Sequence, residues 1–182
     1  MIFTVEENMK AKLNARFYVA AVLLLVFVAV AWYGVYFLMT NDISVGEDSV
    51  PMGKAEKTVF AVITSSVGLS WTFSLVTVLG IAARGCGFIM DESGIRSTAS
   101  ITVFLAFIFV VPIKHIPYSA LSEITFHDDT DKRMVTARLD KEKAGIPLLL
   151  RPLVPDEYHF FAYYTTAKTD EIMTELKKHI EK

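Results

Sequence analysis

Two stretches decide how this chain is read: Gly87-Phe88-Ile89-Met90-Asp91-Glu92-Ser93-Gly94-Ile95-Arg96 and Ile116-Pro117-Tyr118-Ser119-Ala120-Leu121-Ser122-Glu123-Ile124. In the first, apolar residues lead into Asp-Glu-Ser-Gly and out again. That is the pattern of strand, tight turn and strand, with Gly94 able to supply the positive φ such a turn often needs. In the second, a strand enters a bend at Pro117 and another strand leaves it. Between the two lies Ser97 to Ile113, 17 uncharged residues bounded by Arg96 and Lys114. Its centre, Ile101 to Val111, is dominated by β-branched and aromatic residues, which favour strands in soluble settings. Two readings stay open here: a long hairpin lying against a bilayer or against membrane helices, or a third membrane segment over 97–113 at the lower limit of length for a span.

Upstream of these motifs, Phe17 to Met39 (23 residues) and Val59 to Ala83 (25 residues) carry no charge. Each exceeds the roughly 20 residues that a helix needs to cross about 30 Å of hydrocarbon. With 53% apolar and 21% charged residues, the 182-residue chain is expected to be a membrane protein. The organisation that follows is a cytoplasmic N-terminal segment 1–16, a first transmembrane helix 17–39, an external loop 40–58, a second transmembrane helix 59–83 and a cytoplasmic domain 84–182. Lys10, Lys12 and Arg16 before an apolar run, with Ala29-Val30-Ala31 inside it, also fit a signal peptide. The apolar character continues through Trp32, Tyr33, Tyr36 and Leu38, which favours a retained helix with an aromatic belt. Lys10, Lys12, Arg16 and Arg84 flank the outer ends of the two spans, against Lys54 and Lys57 in the loop, so both termini are expected in the cytoplasm.

The second span is the more polar. Ser66, Ser70 and Ser74 lie at i, i+4 and i+8, a stripe of small residues against which another helix can pack, with Ala20, Ala21, Ala29, Ala31 and Gly34 as partners on the first span. Neither span contains an Asp, Glu, Lys, Arg or His of the kind that marks proton relays and ion pathways.

The pattern I-x-D-E-x-G-I followed by I-P-(aromatic)-S-x-(apolar)-x-x-I resembles small bacterial membrane proteins of unknown function that place two helices before a PH-like β domain, and also the wider set of bacterial PH domains. The resemblance covers Phe88 to Ile124 closely, the two-span layout in general and the C-terminal helix in outline. It implies an α+β membrane protein: an N-terminal transmembrane helical hairpin, then a PH-like β sandwich or barrel of about six or seven strands, closed by a C-terminal amphipathic helix. The long apolar link Ile101 to Val111 departs from the family pattern.

Further along, Thr125-Phe126-His127 and Met134 to Leu139 read as a hairpin, Gly145 to Leu150 as a further strand, and Tyr158 to Tyr164 as a strand after Pro152 and Pro155. Thr169 to Glu181 reads as a helix. Thr169 can cap it, Asp170 and Glu171 suit its first turn, Lys177 and Lys178 suit its last, and Ile172, Met173, Leu176 and Ile180 form one stripe.

Chemistry is sparse. His127 with Asp128, Asp129 and Asp131 could hold a divalent cation, but the spacing matches no ordered loop motif and an acidic hairpin turn is the plainer reading. Nucleophile-elbow, phosphate-loop, zinc-protease and dinucleotide motifs are missing, so neither enzyme, cofactor nor metal is expected. The balance of 18 Lys and Arg against 20 Asp and Glu gives nucleic acid no basic surface, and Cys86 alone forms no intrachain disulfide. Lys132, Arg133, Arg138, Lys141, Lys143 and Arg151 read as a solvated strand face rather than a lipid-binding one. Phe104, Phe107, Tyr158 and Tyr163 are the candidate interaction residues. The expected function is a non-enzymatic scaffold or interaction protein in the cytoplasmic membrane, with lipid around its spans and a protein partner or a second copy as ligand. The alternative is a three-span structural subunit of a larger membrane complex.

Overall fold

The computed structural model describes residues 9–41, 44–45, 50–129, 132–160 and 164–180. Two long helices leave and re-enter a β structure. Helix α1 (Ala15–Thr40) is opened by Asn14, whose side chain accepts from the Phe17 N–H at 3.3 Å. Helix α2 (Lys54–Arg84) begins after Gly53, whose N–H donates to Glu56 at 2.9 Å, and ends at Gly85 in the left-handed region, φ 68°. Both are long and apolar enough to cross a membrane. They run antiparallel in contact: Thr64 faces Gly34, Gly68 sits against Ala31 and Trp32, and Leu75 packs with Leu24 and Val28. Small residues let the backbones approach, and the Trp32 Nε1–H donates to Thr72 Oγ1 at 3.1 Å. The outward faces, including Val19, Val22, Leu69 and Val76, are apolar and exposed. Between the helices, β2 (Ser44–Val45) and β3 (Val50–Pro51) form a two-stranded ladder.

Strand β1 (Met9–Lys12), immediately before α1, pairs antiparallel with β4 (Cys86–Asp91), immediately after α2, in the register Met9↔Met90 and Ala11↔Phe88. The β structure is therefore not confined to 84–182 as the sequence suggested. One strand comes from the N-terminal segment, and the helical pair is an insertion between two neighbouring strands. A four-residue strand next to a long apolar run carries too little alternation to stand out in the sequence. The sheet continues with β5 (Gly94–Phe104) and β6 (Phe107–Pro117), giving the order β1-β4-β5-β6. Ser97 to Ile113 thus lies in two antiparallel strands and their turn, not in a helix. A second sheet of order β7-β8-β9 is built from β7 (Leu121–Asp129), β8 (Lys132–Leu139) and β9 (Glu157–Phe160).

Helix α3 (Thr169–Ile180) places Ile172 and Leu176, both fully buried, on a core that includes Met90, Ile95, Val135 and Phe160. Thr169, expected as its cap, is instead the first helical residue. The Lys168 carbonyl accepts the first helical bond from Ile172 at 3.1 Å, and Glu171 accepts from the Lys168 N–H at 3.3 Å. Gly145 to Leu150, expected as a strand, is a series of turns. Asp140 Oδ1 accepts from the Glu142 and Lys143 N–H groups, both at 3.1 Å, and Leu150 N–H donates to Pro147 at 2.8 Å. These local bonds compete with a ladder, and Pro147 has no N–H to offer one.

Gly94 opens β5 at φ 145°, and a Cβ there would fall on the Ile116 carbonyl oxygen and within 2.9 Å of Pro117 Cα. Both contacts are backbone, so neither can rotate away. Gly94→Val is expected to destabilise the full-length chain by about 2 kcal/mol or more, read by thermal melting in detergent. A melt matching the parent would contradict this turn geometry.

Candidate functional site

Strand β6 is the last in its sheet, so among the described residues one row of its N–H and C=O groups has no strand partner. Helix α2 covers that edge with side chains. The Trp71 Nε1–H donates to the Ala106 carbonyl at 2.7 Å, and Ser74 Oγ donates to the Ile108 carbonyl at 2.6 Å while accepting from the Val110 N–H at 3.0 Å. Trp71 and Ser74 are three residues apart and so share a helix face. Ser74, fully buried, uses its hydroxyl both ways.

The serine stripe therefore divides. Ser66 is exposed and bonds back to the Val62 carbonyl at 2.8 Å; Ser70 is buried and bonds to Val67 at 2.8 Å. Of the three, only Ser74 reaches beyond its own helix, and it reaches a sheet edge rather than α1. Periodicity places the residues on one side of the helix but cannot distinguish a helical partner from a strand.

At the far end of the hairpin Phe104 pairs with Phe107 across the loop Leu105-Ala106. Leu105 has φ 52°, at the first loop position of a two-residue turn where glycine is the usual occupant. Val103, Phe104 and Leu105 are 64%, 67% and 83% exposed, whereas Phe107 is half-buried and lies parallel to Phe109 with ring centres 6.3 Å apart. Below the tip, Thr102 Oγ1 donates to the Leu153 carbonyl at 2.7 Å, which ties the hairpin to the 141–153 turns. Those turns expose Leu148 and Leu149.

Tyr158 belongs to the core and not to an interaction surface. It pairs with Ala137 on β8, is 3% exposed and places its hydroxyl against Thr98 Oγ1. Burial pushes its phenol well above the usual range, so it remains a neutral hydrogen-bonding group. Tyr163 and the side chains of His127, Asp128, Asp129 and Asp131 lie outside the described residues. Elsewhere, among the described residues, no three metal-ligating side chains come together. Arg138 pairs with Glu123 at 3.1 Å, Lys141 with Asp156 at 2.9 Å and Lys143 with Asp140 at 3.6 Å. A cavity of about 70 Å³ lies where the helices meet the sheets, lined by Phe17, Val78, Ile81, Phe88 and Val110. It is well below the roughly 300 Å³ of an ordinary small-molecule site, whereas an open groove of about 520 Å³ between β6 and the 141–153 turns, lined by Val111, Ile113, His115, Ala144 and Leu150, exceeds it.

Asp91, Ser93 and His115 are neighbours, but not in the order that activates a serine. Asp91 accepts from the Ser93 N–H at 2.9 Å and from the Ser93 hydroxyl at 2.6 Å, and pairs with Arg96; His115 Nε2 is 3.4 Å from the same hydroxyl. The carboxylate holds the serine, whereas a nucleophilic triad would have it hold the imidazole. Burial works to raise the Asp91 carboxyl, but the bonds from Ser93 and the charge of Arg96 together keep it below the usual value.

Two outcomes follow. Because its folded-state pKa is depressed, Asp91 should contribute stability above the ordinary carboxylate range and lose it as pH falls through the folded value. Asp91→Asn should flatten that acid limb of a melting-temperature profile, and an unchanged limb would contradict the assignment. Ser74→Ala leaves the Ile108 carbonyl and the Val110 N–H without this partner and should cost about 1–3 kcal/mol, with faster exchange of the Val110 amide. Ser66→Ala should stay within about 0.5 kcal/mol. Equal effects would remove the distinction between the two serines.

Compared with known protein families, curated proteins and solved structures, the chain matches none of them.

Proposed function

We propose that this chain is a membrane-anchored, non-enzymatic scaffold or interaction protein, in which a PH-like domain is held at the cytoplasmic face by a helical hairpin inserted after its first strand. The observation that carries the reading is the joint between anchor and sheet. Only Leu13-Asn14 separates β1 from α1, and only Gly85 separates α2 from β4, while β1 and β4 are paired to each other. A domain joined in this way presents its remaining surface at one orientation to the bilayer, which suits assembly of partners more than independent motion on a tether. The four-stranded and three-stranded sheets with a closing C-terminal helix support the PH-like reading. Lys10, Lys12, Arg16 and Arg84 cluster at the end of the helical pair where the sheet lies, which supports a cytoplasmic domain.

Within this reading α2 touches β4 and β6, and the β7-β8-β9 sheet is the part offered to a protein partner. Phe126 on β7 is a partly exposed aromatic there. A photo-reactive phenylalanine analogue at position 126 should give discrete protein adducts in native membranes. Reporter fusions at both termini should report the cytoplasm. Absence of any protein adduct, or an external C-terminus, would contradict the proposal.

A further inference from the structure

We infer that the β5–β6 hairpin dips into the bilayer, with Val103, Phe104 and Leu105 among lipid acyl chains beside α2. This rests on the reading that α1 and α2 cross the membrane, and depth follows from the Trp71 bond. Trp71 stands at the centre of the uncharged run Val59 to Ala83, and it holds Ala106 in the hairpin loop. A hydrocarbon core takes about 20 of those 25 residues. Placed as far from the sheet as the run allows, the core ends near Val78, seven residues beyond Trp71. Placed as near as it allows, it ends at Ala83, twelve residues beyond. At 1.5 Å per residue the loop lies about 10 to 18 Å inside the boundary in either case.

The chemistry of the hairpin agrees with that depth. No charge occurs between Arg96 and Lys114. Leucine occupies a positive-φ loop position where glycine or asparagine would form the turn with less strain, which is a local cost without benefit in water and a hydrophobic gain in lipid. Backbone at membrane depth must be satisfied by protein, and on the β6 side Trp71 and Ser74 do this, while β5 and β6 pair with each other. On the β5 side the Thr102 hydroxyl donates to the Leu153 carbonyl, which sets the 141–153 turns beside the strand below its tip. Exposed Leu148 and Leu149 in the turns beside the hairpin fit the bilayer boundary, where apolar side chains can enter.

The test uses the full chain, with Cys86→Ser, in phosphatidylcholine–phosphatidylglycerol vesicles. Single cysteines at Leu105, Phe104, Leu69 and Glu92 carry a nitroxide, and collision with oxygen is compared with collision with a water-soluble nickel complex. Leu69 on the outward face of α2 is the lipid reference, and Glu92 in the β4–β5 turn is the water reference. Positions 104 and 105 should match Leu69, and two tip positions guard against distortion by either substitution. If Leu69 is lipid-like while both tip positions match Glu92, the hairpin inference fails and the spans stand. If Leu69 itself matches Glu92, the membrane-crossing reading fails too. If both reagents are excluded from the tip and the spectra show spin–spin broadening, a second copy covers it and the lipid assignment is wrong.

Discussion

An unpaired β edge against a long apolar helix is the constraint on which the rest of this structure depends. The outward groups of β6 would be a site for aggregation in water and would be costly in hydrocarbon. The helix answers with two side chains of opposite size. Trp71 donates one hydrogen bond at the loop, and Ser74 both donates and accepts lower down. Together they fix the angle and height of the hairpin along the helix. The position of the whole four-stranded sheet follows from that height.

The second constraint is topological. Because α1 and α2 are inserted between β1 and β4, the helices cannot part at that end without breaking the first ladder of the sheet, and the ladder cannot slip without moving the helices. Asn14 reinforces the joint: it caps α1, its side-chain amide donates to the Thr165 carbonyl at 3.1 Å, and its N–H donates to the Tyr164 carbonyl at 3.1 Å. The segment leading into α3 is thereby fastened to the start of α1. The helical pair, the four-stranded sheet and the approach to α3 meet around one residue.

Much of this was legible from residue patterns. The two uncharged runs, the Asp91 to Gly94 turn, the β7–β8 hairpin and the stripe of α3 each follow from a period or a turn residue acting over a few positions. Ser97 to Ile113 stayed open between hairpin and crossing because apolar strands and short apolar helices share a composition. Its resolution depends on Ser74 and Trp71, more than twenty residues upstream of the strand they bind. Tyr158 looked like part of an aromatic surface because alternation within four residues of β9 does not say which face meets the other sheet. The contribution of Met9–Lys12 was hidden for a related reason, since pairing across a 73-residue insertion leaves no local signal.

The most direct measurement is proton-detected solid-state NMR of the full chain in lipid bilayers, seeking a through-space contact between the Ser74 side chain and the Val110 amide. The account predicts a strong cross-peak, from a hydroxyl oxygen 3.0 Å from that nitrogen. A Val110 amide that shows transfer from water and none from Ser74 would contradict the docking of β6 on α2.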